Sequence, residues 1–455
     1  MHKEHYTVAI IGAGVVGTAI TYALSKYTDL KDILLIEKHG DVAQLNSNSV
    51  NNSQTLHSGE IETNYSIEKI KETRKAANMV LNYSRSLPKK LMENIIQPCQ
   101  KMVLGVGDEE IELLNKHYSP EFKDVFPYVK QISKDEIGKY EPNLLSGRDP
   151  DEKLVALFSK EGYMVDYYKL SKSFLNQALE SKKTTVDVHF NESLKRLDEA
   201  ADLYSIKTDK GHYTADFVVC AAGAYSLFFA KSLGYGKNLG ILSVGGNFFS
   251  SKRVLNGKVY RVEKEGIPFA AVHGDPDITN PKITRFGPTV SVYPYLEKNN
   301  RRSMFDYMRS LGIDAKTIVS LEEILSYEGI SKIIMRNFGY ALPRVGKEEF
   351  IKNEVKKIVP SLEAKDIKFD KGVGGIRPQI IDKDKHALVM GGSAITGKNI
   401  IFNVTPSPGA TSCLSEAMSN IQYLVKSLDI AFDSDGFSKD LIEPTEKSYK
   451  SANKD

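Results

Sequence analysis

A chain of 455 residues, 41% hydrophobic and 26% charged, has the size and makeup of a globular protein with two or three domain-sized units. Its formal net charge of +3 provides no polycationic surface for nucleic acid, and no apolar stretch reaches membrane-spanning length. Cys99, Cys220 and Cys413 are too few and too scattered for a disulfide framework or a zinc site, so they are expected as reduced thiols, with no resident metal.

The opening residues MHKEHYT run straight into a strand-like segment, which leaves no room for a signal peptide and points to the cytoplasm. Residues Val8 to Gly17, VAIIGAGVVG, predict a buried parallel strand that turns into a helix through Gly12, Gly14 and Gly17. The three glycines serve a tight turn, close approach of backbone to a pyrophosphate, and close packing of helix on strand. Free N–H groups at the helix start and the positive end of its dipole then face the phosphates. A second apolar run, ILLIE, ends at Glu37, 20 residues past Gly17, the spacing at which an acid accepts hydrogen bonds from an adenosine ribose. A dinucleotide therefore binds at the N-terminal strand. No second fingerprint occurs, so an onward electron acceptor such as a quinone, oxygen or a carrier protein suits the chain better than NAD.

Further on, VDVHF, LYSIKT and HYTADFVVCAAG read as short strands, the last running into small residues, Ala222 and Gly223, that let backbone approach the same nucleotide. From about Leu242 to Pro360 the pattern changes. Runs such as KVYRV, PFAAV and TVSVYPYL alternate with helical stretches from Ser303 to Leu311 and from Val319 to Tyr327, as in a mostly antiparallel sheet with helices. Glycine-rich turns return in KGVGGIRPQ, and in TPSPGATSCLSEAM the residues Gly409, Ala410 and Thr411 open a helix through Met418. Beyond Asp435 the chain is polar and is expected to fray.

In this order the segments resemble one family along nearly the whole chain. The fingerprint with Glu37-Lys38, EGYMVDYYKL from Glu161, the AAG turn and PSPGAT look like the FAD-dependent oxidoreductases related to D-amino-acid oxidase and glycerol-3-phosphate dehydrogenase. Within that group, DVAQLNSNSVNNSQTLHSG is similar to the corresponding loop of malate:quinone oxidoreductases. NSQTLHSG, GGIRPQIID and NVTPSPGAT also look like L-2-hydroxyglutarate dehydrogenases. Two departures touch the substrate. Ser53 to Leu56 are not the small, glycine-containing residues usual in malate:quinone enzymes, and Leu242-Ser243 stand where many members have a proline.

The resemblance implies an α/β fold, with a Rossmann-like FAD-binding domain (residues 1–95, 155–235 and 365–430) and an inserted, mostly antiparallel α+β substrate domain (96–154 and 236–364), followed by a polar tail (431–455). It implies FAD held without a covalent link by Gly12, Gly14, Gly17, Glu37, Lys38, Asn52, Ser53, Ala222, Gly223, Gly375, Gly409, Ala410 and Thr411. The implied reaction is oxidation of L-malate to oxaloacetate, with electrons passed to a membrane quinone and the protein seated peripherally on the cytoplasmic face of the membrane. L-2-hydroxyglutarate and L-lactate are alternative substrates, and a flavin-binding redox sensor without turnover is the non-enzymatic alternative. Segment Gly329 to Leu342, apolar with Lys332 and Arg336, fits either a membrane contact or an amphipathic helix on its own core.

Hydride transfer from a 2-hydroxy acid needs a base for the hydroxyl proton and a clamp for the carboxylate. His57, in the loop after the second strand, and His273, in AVHGD of the inserted domain, are the two candidate bases. Arg377, in GGIRPQ, has the forked donors of a carboxylate clamp. Arg285 and Arg336 are candidates for a second, distal carboxylate.

Overall fold

In the computed structural model, residues 4–263, 271–340, 345–389, 393–405 and 408–443 are described. Strand β1 (His5–Ile11) is buried on both faces, Val8 and Ile10 in one core and Ala9 and Ile11 in another, which is why its sequence is continuously apolar rather than alternating. It pairs in parallel with β2 (Asp32–Ile36) and with the strand His212–Cys220, so that Ile11, Ile36 and Cys220 end level with one another. Thr185–His189 extends this sheet beyond β2, and Ile400–Val404 and Ser393–Gly397 extend it on the other side. The hairpin Leu194–Ala200 with Leu203–Thr208 pairs antiparallel onto the His212 strand. Helices α1 (Val15–Tyr27), Tyr167–Leu179 and Cys413–Leu428 share the first core, whereas Phe229 and Ala230 of helix Tyr225–Ser232 reach the second.

Two further sheets make up the inserted part. One runs in the order Lys368–Phe369, Phe249–Lys252, Ile283–Gly287, His273–Pro276, Lys258–Arg261, Lys101–Val106, Leu154–Ser159, Lys130–Ser133. Its pairings are antiparallel except between Lys258–Arg261 and Lys101–Val106. The other, Ser291–Val292, Leu239–Gly245, Ile376–Asp382 and Ala387–Val389, is antiparallel throughout.

These pairings move the expected borders. Leu154–Ser159 is a strand of the inserted sheet, so a boundary at residue 155 cuts an element. The segment Ile376–Asp382 likewise belongs to the four-stranded sheet, and the chain rejoins the nucleotide sheet only at Ser393. Residues 431–443 are no tail. Phe437 and Leu441 are buried in the nucleotide core, and the Asn82 side-chain amide donates to the carbonyls of Leu441 and Glu443. In TVSVYPYL only Ser291–Val292 forms strand. Part of PFAAV, and the last two residues of the segment Gly329 to Leu342, lie outside the described residues.

Candidate functional site

A cavity of about 700 Å³ runs from the carboxyl ends of β1, β2 and the His212 strand to the start of the strand Ile376–Asp382. Open α/β sheets bind ligands at this edge, because the loops leaving parallel strands diverge there. Gly12 has φ +100°, and a side chain on it would meet the Ala221 carbonyl at 2.7 Å. Gly17 faces the Gly12 carbonyl so closely that no Cβ fits, which makes it the helix-on-strand contact rather than part of the cavity wall. Gly14 lines the cavity, and a Cβ on it would have only the Ser47 hydroxyl nearby, at 3.5 Å, so backbone N–H groups can be approached there.

Glu37 sits at the far end of this cradle. Its carboxylate accepts from the backbone N–H of Ala13 at 2.8 Å and of His39 at 2.9 Å, which fixes it against the glycine turn. Lys38 lines the same end, paired with Glu297 at 2.6 Å and 4.6 Å above the Tyr225 ring. Asn52, Ser53, Ala222, Gly223, Gly375, Gly409, Ala410 and Thr411 all line the cavity. The expected helix after Pro408 begins later than the sequence suggests. Gly409, Ala410 and Thr411 form a turn, and the helix starts at Cys413. The glycine cradle, the acid at its end and the small residues on the neighbouring strand fit a dinucleotide such as FAD.

At the other end lie His57 and Arg377. The loop that carries His57 is supported from below by two buried lysines. Lys101 donates to the Leu56 carbonyl at 3.3 Å and pairs with Glu60 at 2.6 Å, while Lys258 donates to the Ser53 carbonyl at 2.8 Å and pairs with Asp275 at 3.1 Å. His57 Nδ1 is 2.5 Å from a Glu62 carboxylate oxygen, its Nε2 is 3.4 Å from the Ser53 hydroxyl, and its backbone N–H donates to Thr411 Oγ1. Burial works to raise the Glu62 pKa. The hydrogen bond and charge of His57, with the Lys101 charge, outweigh it and hold the carboxyl below the usual range. A carboxylate can only accept, so the proton of this contact belongs to Nδ1, and Nε2, with the Ser53 hydroxyl beside it, is the accepting nitrogen of the neutral ring.

Arg377 is partly buried in the cavity wall and has no ion-pair partner within 4 Å among the described residues. Burial lowers its pKa somewhat, against the charges of Glu263, Tyr260 and Tyr65. Glu263 is pushed up to about 8 by burial and by the Glu62 charge, although the Ala271 N–H and Arg377 work the other way.

Three expected residues lie elsewhere. His273 is 2% exposed behind Tyr260, stacked on its ring at 4.5 Å, with Nδ1 3.1 Å from the Ala271 carbonyl and Nε2 3.1 Å from Asp275. It does not line the cavity. The neighbouring Asp275 is driven up by burial but held at about 2 by Lys258 and His273, so this is a charged structural cluster. Arg285 is buried with its guanidinium 4.1 Å from the Phe248 ring and donates to the carbonyls of Val50 and Asn52. It therefore braces the loop before His57 rather than meeting a ligand. Arg336 is half exposed and pairs with Glu354 at 3.2 Å, away from the cavity.

Sequence reasoning passed over Glu62, Asn46 and Lys298. Asn46 exchanges two hydrogen bonds with the Ile376 backbone, and Lys298 ties the carbonyls of Gly246 and Val373. The only sequence signal for Glu62 is an acid five residues beyond a histidine.

The fold is that of the flavin-dependent oxidoreductases. The FAD-bound L-α-glycerophosphate oxidase of Mycoplasma pneumoniae matches with a TM-score of 0.64 at 19% identity, over 92% of this chain and 95% of its own. Glycine oxidase of Geobacillus kaustophilus matches at 0.63 and 16% identity, over 97% and 100%. The family model for malate:quinone oxidoreductase matches residues 4–443. A probable malate:quinone oxidoreductase of Campylobacter jejuni is 39% identical over 97% of this chain and 100% of its own length, and the malate:quinone oxidoreductase of Helicobacter pylori is 38% identical over 96% and 98%. Human mitochondrial L-2-hydroxyglutarate dehydrogenase is a more distant relative, 25% identical over 90% of this chain and 86% of its own. The chain belongs to the malate:quinone oxidoreductase family.

Proposed function

We propose that this protein oxidises L-malate to oxaloacetate on a non-covalently held FAD and passes the electrons to a quinone in the membrane. The observation that carries the reading is the placement of a carboxylate-oriented His57 and an Arg377 without a protein counter-ion among the described residues in one cavity with a glycine cradle. Gly12, Gly14, Glu37, Ala222, Gly223 and the turn 409–411 would hold the cofactor, which supplies a two-electron acceptor for the hydride leaving C2 of malate.

Glu62 keeps the proton of the His57 ring on Nδ1, so Nε2 takes the hydroxyl proton as the C2–H bond breaks. Arg377 offers two parallel donors to the carboxylate beside C2 and thereby orients that carbon. Arg285 keeps the loop of Asn52 and Ser53 at the cavity wall. His273 supports Tyr260, and hence the ground beneath His57, without touching substrate.

A quinone dissolved in lipid must be met at the bilayer surface, and no helix among the described residues is long and apolar enough to cross a membrane. A quinone acceptor supports our reading that the protein is seated peripherally on the cytoplasmic face of the membrane.

The test is rapid-mixing reduction of the bound flavin by L-malate without oxygen. His57→Ala should keep its flavin and lose about a hundred- to ten-thousandfold in rate, the usual contribution of a general base. Glu62→Gln should lose less, because an amide no longer fixes the ring as an anion does. Wild-type rates in His57→Ala would remove the histidine from the mechanism.

A further inference from the structure

Between residues 304 and 345 the chain forms three consecutive helices, Met304–Leu311, Ala315–Ser326 and Glu328–Tyr340. All three pack on the four-stranded sheet: the first on Leu239–Gly245, the second on Ala387–Val389, the third on Ser291–Val292. Their inner residues Tyr307, Leu311, Ile324 and Ile330 join one core with that sheet. The outer sides are unusual for a soluble surface. Eleven of the fifteen large apolar side chains exposed among the described residues fall in this stretch, five of them on the first and third helices.

Exposed cations accompany the exposed apolar groups of the first and third helices. Phe305 (70% exposed) and Met308 follow Arg301 and Arg302 of the preceding turn, and Met335 (70%) and Phe338 (67%) share their helix with Lys332 and with Arg336, which pairs with Glu354. Large apolar tips among basic residues suit the headgroup boundary of an anionic bilayer, where the tips enter the acyl region and the cations stay with the phosphates.

We infer that the outward sides of Met304–Leu311 and Glu328–Tyr340 are the surface by which this protein sits on an anionic lipid bilayer, with Phe305, Met335 and Phe338 as the inserted tips. The inference rests on the quinone reading above, since a lipid-dissolved acceptor is what gives the seat its purpose. The middle helix exposes Ile318, Val319 and Leu325 as well, but Glu322 and Glu323 are exposed beside them, and it lies outside the seat.

The experiment is flotation of the flavin-loaded protein with vesicles of phosphatidylcholine alone or with phosphatidylglycerol. It compares the wild type with the triple variant Phe305→Ser, Met335→Ser, Phe338→Ser and with Arg301→Ser, Arg302→Ser. All five positions are exposed, so the melting temperature serves as a control for folding. Wild type should float with the anionic vesicles. The triple variant should bind at least tenfold less, reduce a soluble dye with malate as well as wild type does, and lose at least tenfold with a long-chain quinone held in the vesicles. The arginine variant should lose only the preference for anionic lipid. Equal flotation of wild type and triple variant overturns the proposal. So does a triple variant whose only change is to convert a dimer into a monomer, because the surface would then belong to a second copy. Failure of malate to reduce the dye in wild type would fault the substrate instead, and leave the flotation result to be judged separately.

Discussion

Arg377 contributes shape as well as charge. Its guanidinium lines the cavity without an ion-pair partner among the described residues, and a carboxylate meets such a fork with two parallel hydrogen bonds. Arg377→Lys keeps the charge and loses the fork, so malate turnover efficiency should fall about ten- to hundredfold, the equivalent of one charge-assisted hydrogen bond of about 1.5–3 kcal/mol. Steady-state kinetics with a soluble acceptor measure this directly. The raised pKa of Glu263 predicts an alkaline limit. With its pKa pushed up to about 8, it is mainly neutral at pH 7, and Arg377 is free for substrate. As the pH rises through 8, Glu263 becomes an anion competing for the same cation, so KM for malate should rise there, and Glu263→Gln should flatten the rise. A KM profile unchanged by that substitution would remove Glu263 from this role. At this scale the sequence told residue types apart but not positions. His57 and His273 read alike, because each is a histidine near a motif, and Arg285 read as a clamp for a distal carboxylate. Only the fold shows that His57 faces the cavity, while His273 and Arg285 serve the loop behind it.

The elements carry the same lesson with a different cause. Strands β1 and β2, the glycine turn and α1 were legible because a doubly buried parallel strand must be continuously apolar and its turn must be glycine. The polar C-terminal segment was misjudged for a converse reason. Its fully buried side chains are two, Phe437 and Leu441, one helical turn apart among polar neighbours, with Phe432 and Ile442 partly buried beside the same core, and so few apolar residues make a weak periodic signal. Phe437 meets Tyr27 edge-on at 5.1 Å, and Tyr27 donates to Asp440 at 3.0 Å. Phe437→Ala should therefore destabilise the nucleotide-binding part by about 3–5 kcal/mol, as for other buried phenylalanines, and should speed flavin loss on heating. Thermal melts followed by flavin fluorescence would show it, and an unchanged melt would mean that the segment is not anchored.

For the whole molecule, the function depends on how two structural units meet along one loop. The nucleotide-binding part supplies the cradle and the loop that ends at His57, while the inserted sheets supply Arg377 and the braces, from Asn46 to the Ile376 backbone and from Arg285 to Val50 and Asn52. A further link joins Lys38 to Glu297 at the nucleotide end. The class of fold was legible because the fingerprint and the later motifs keep their order along the chain. The inserted borders were not, since Leu154–Ser159 and Ile376–Asp382 pair with strands far away in sequence, and strand patterning says nothing of the partner. The central claim is that one cavity brings together a bound flavin and the means to oxidise malate. The measurement is the absorbance of the purified protein in the absence of oxygen before and after L-malate is added. The protein should be yellow, with a flavin band that bleaches with L-malate and much more slowly with D-malate, L-lactate or L-2-hydroxyglutarate. A flavin-loaded protein left unbleached by L-malate, or bleached faster by L-2-hydroxyglutarate, would contradict it.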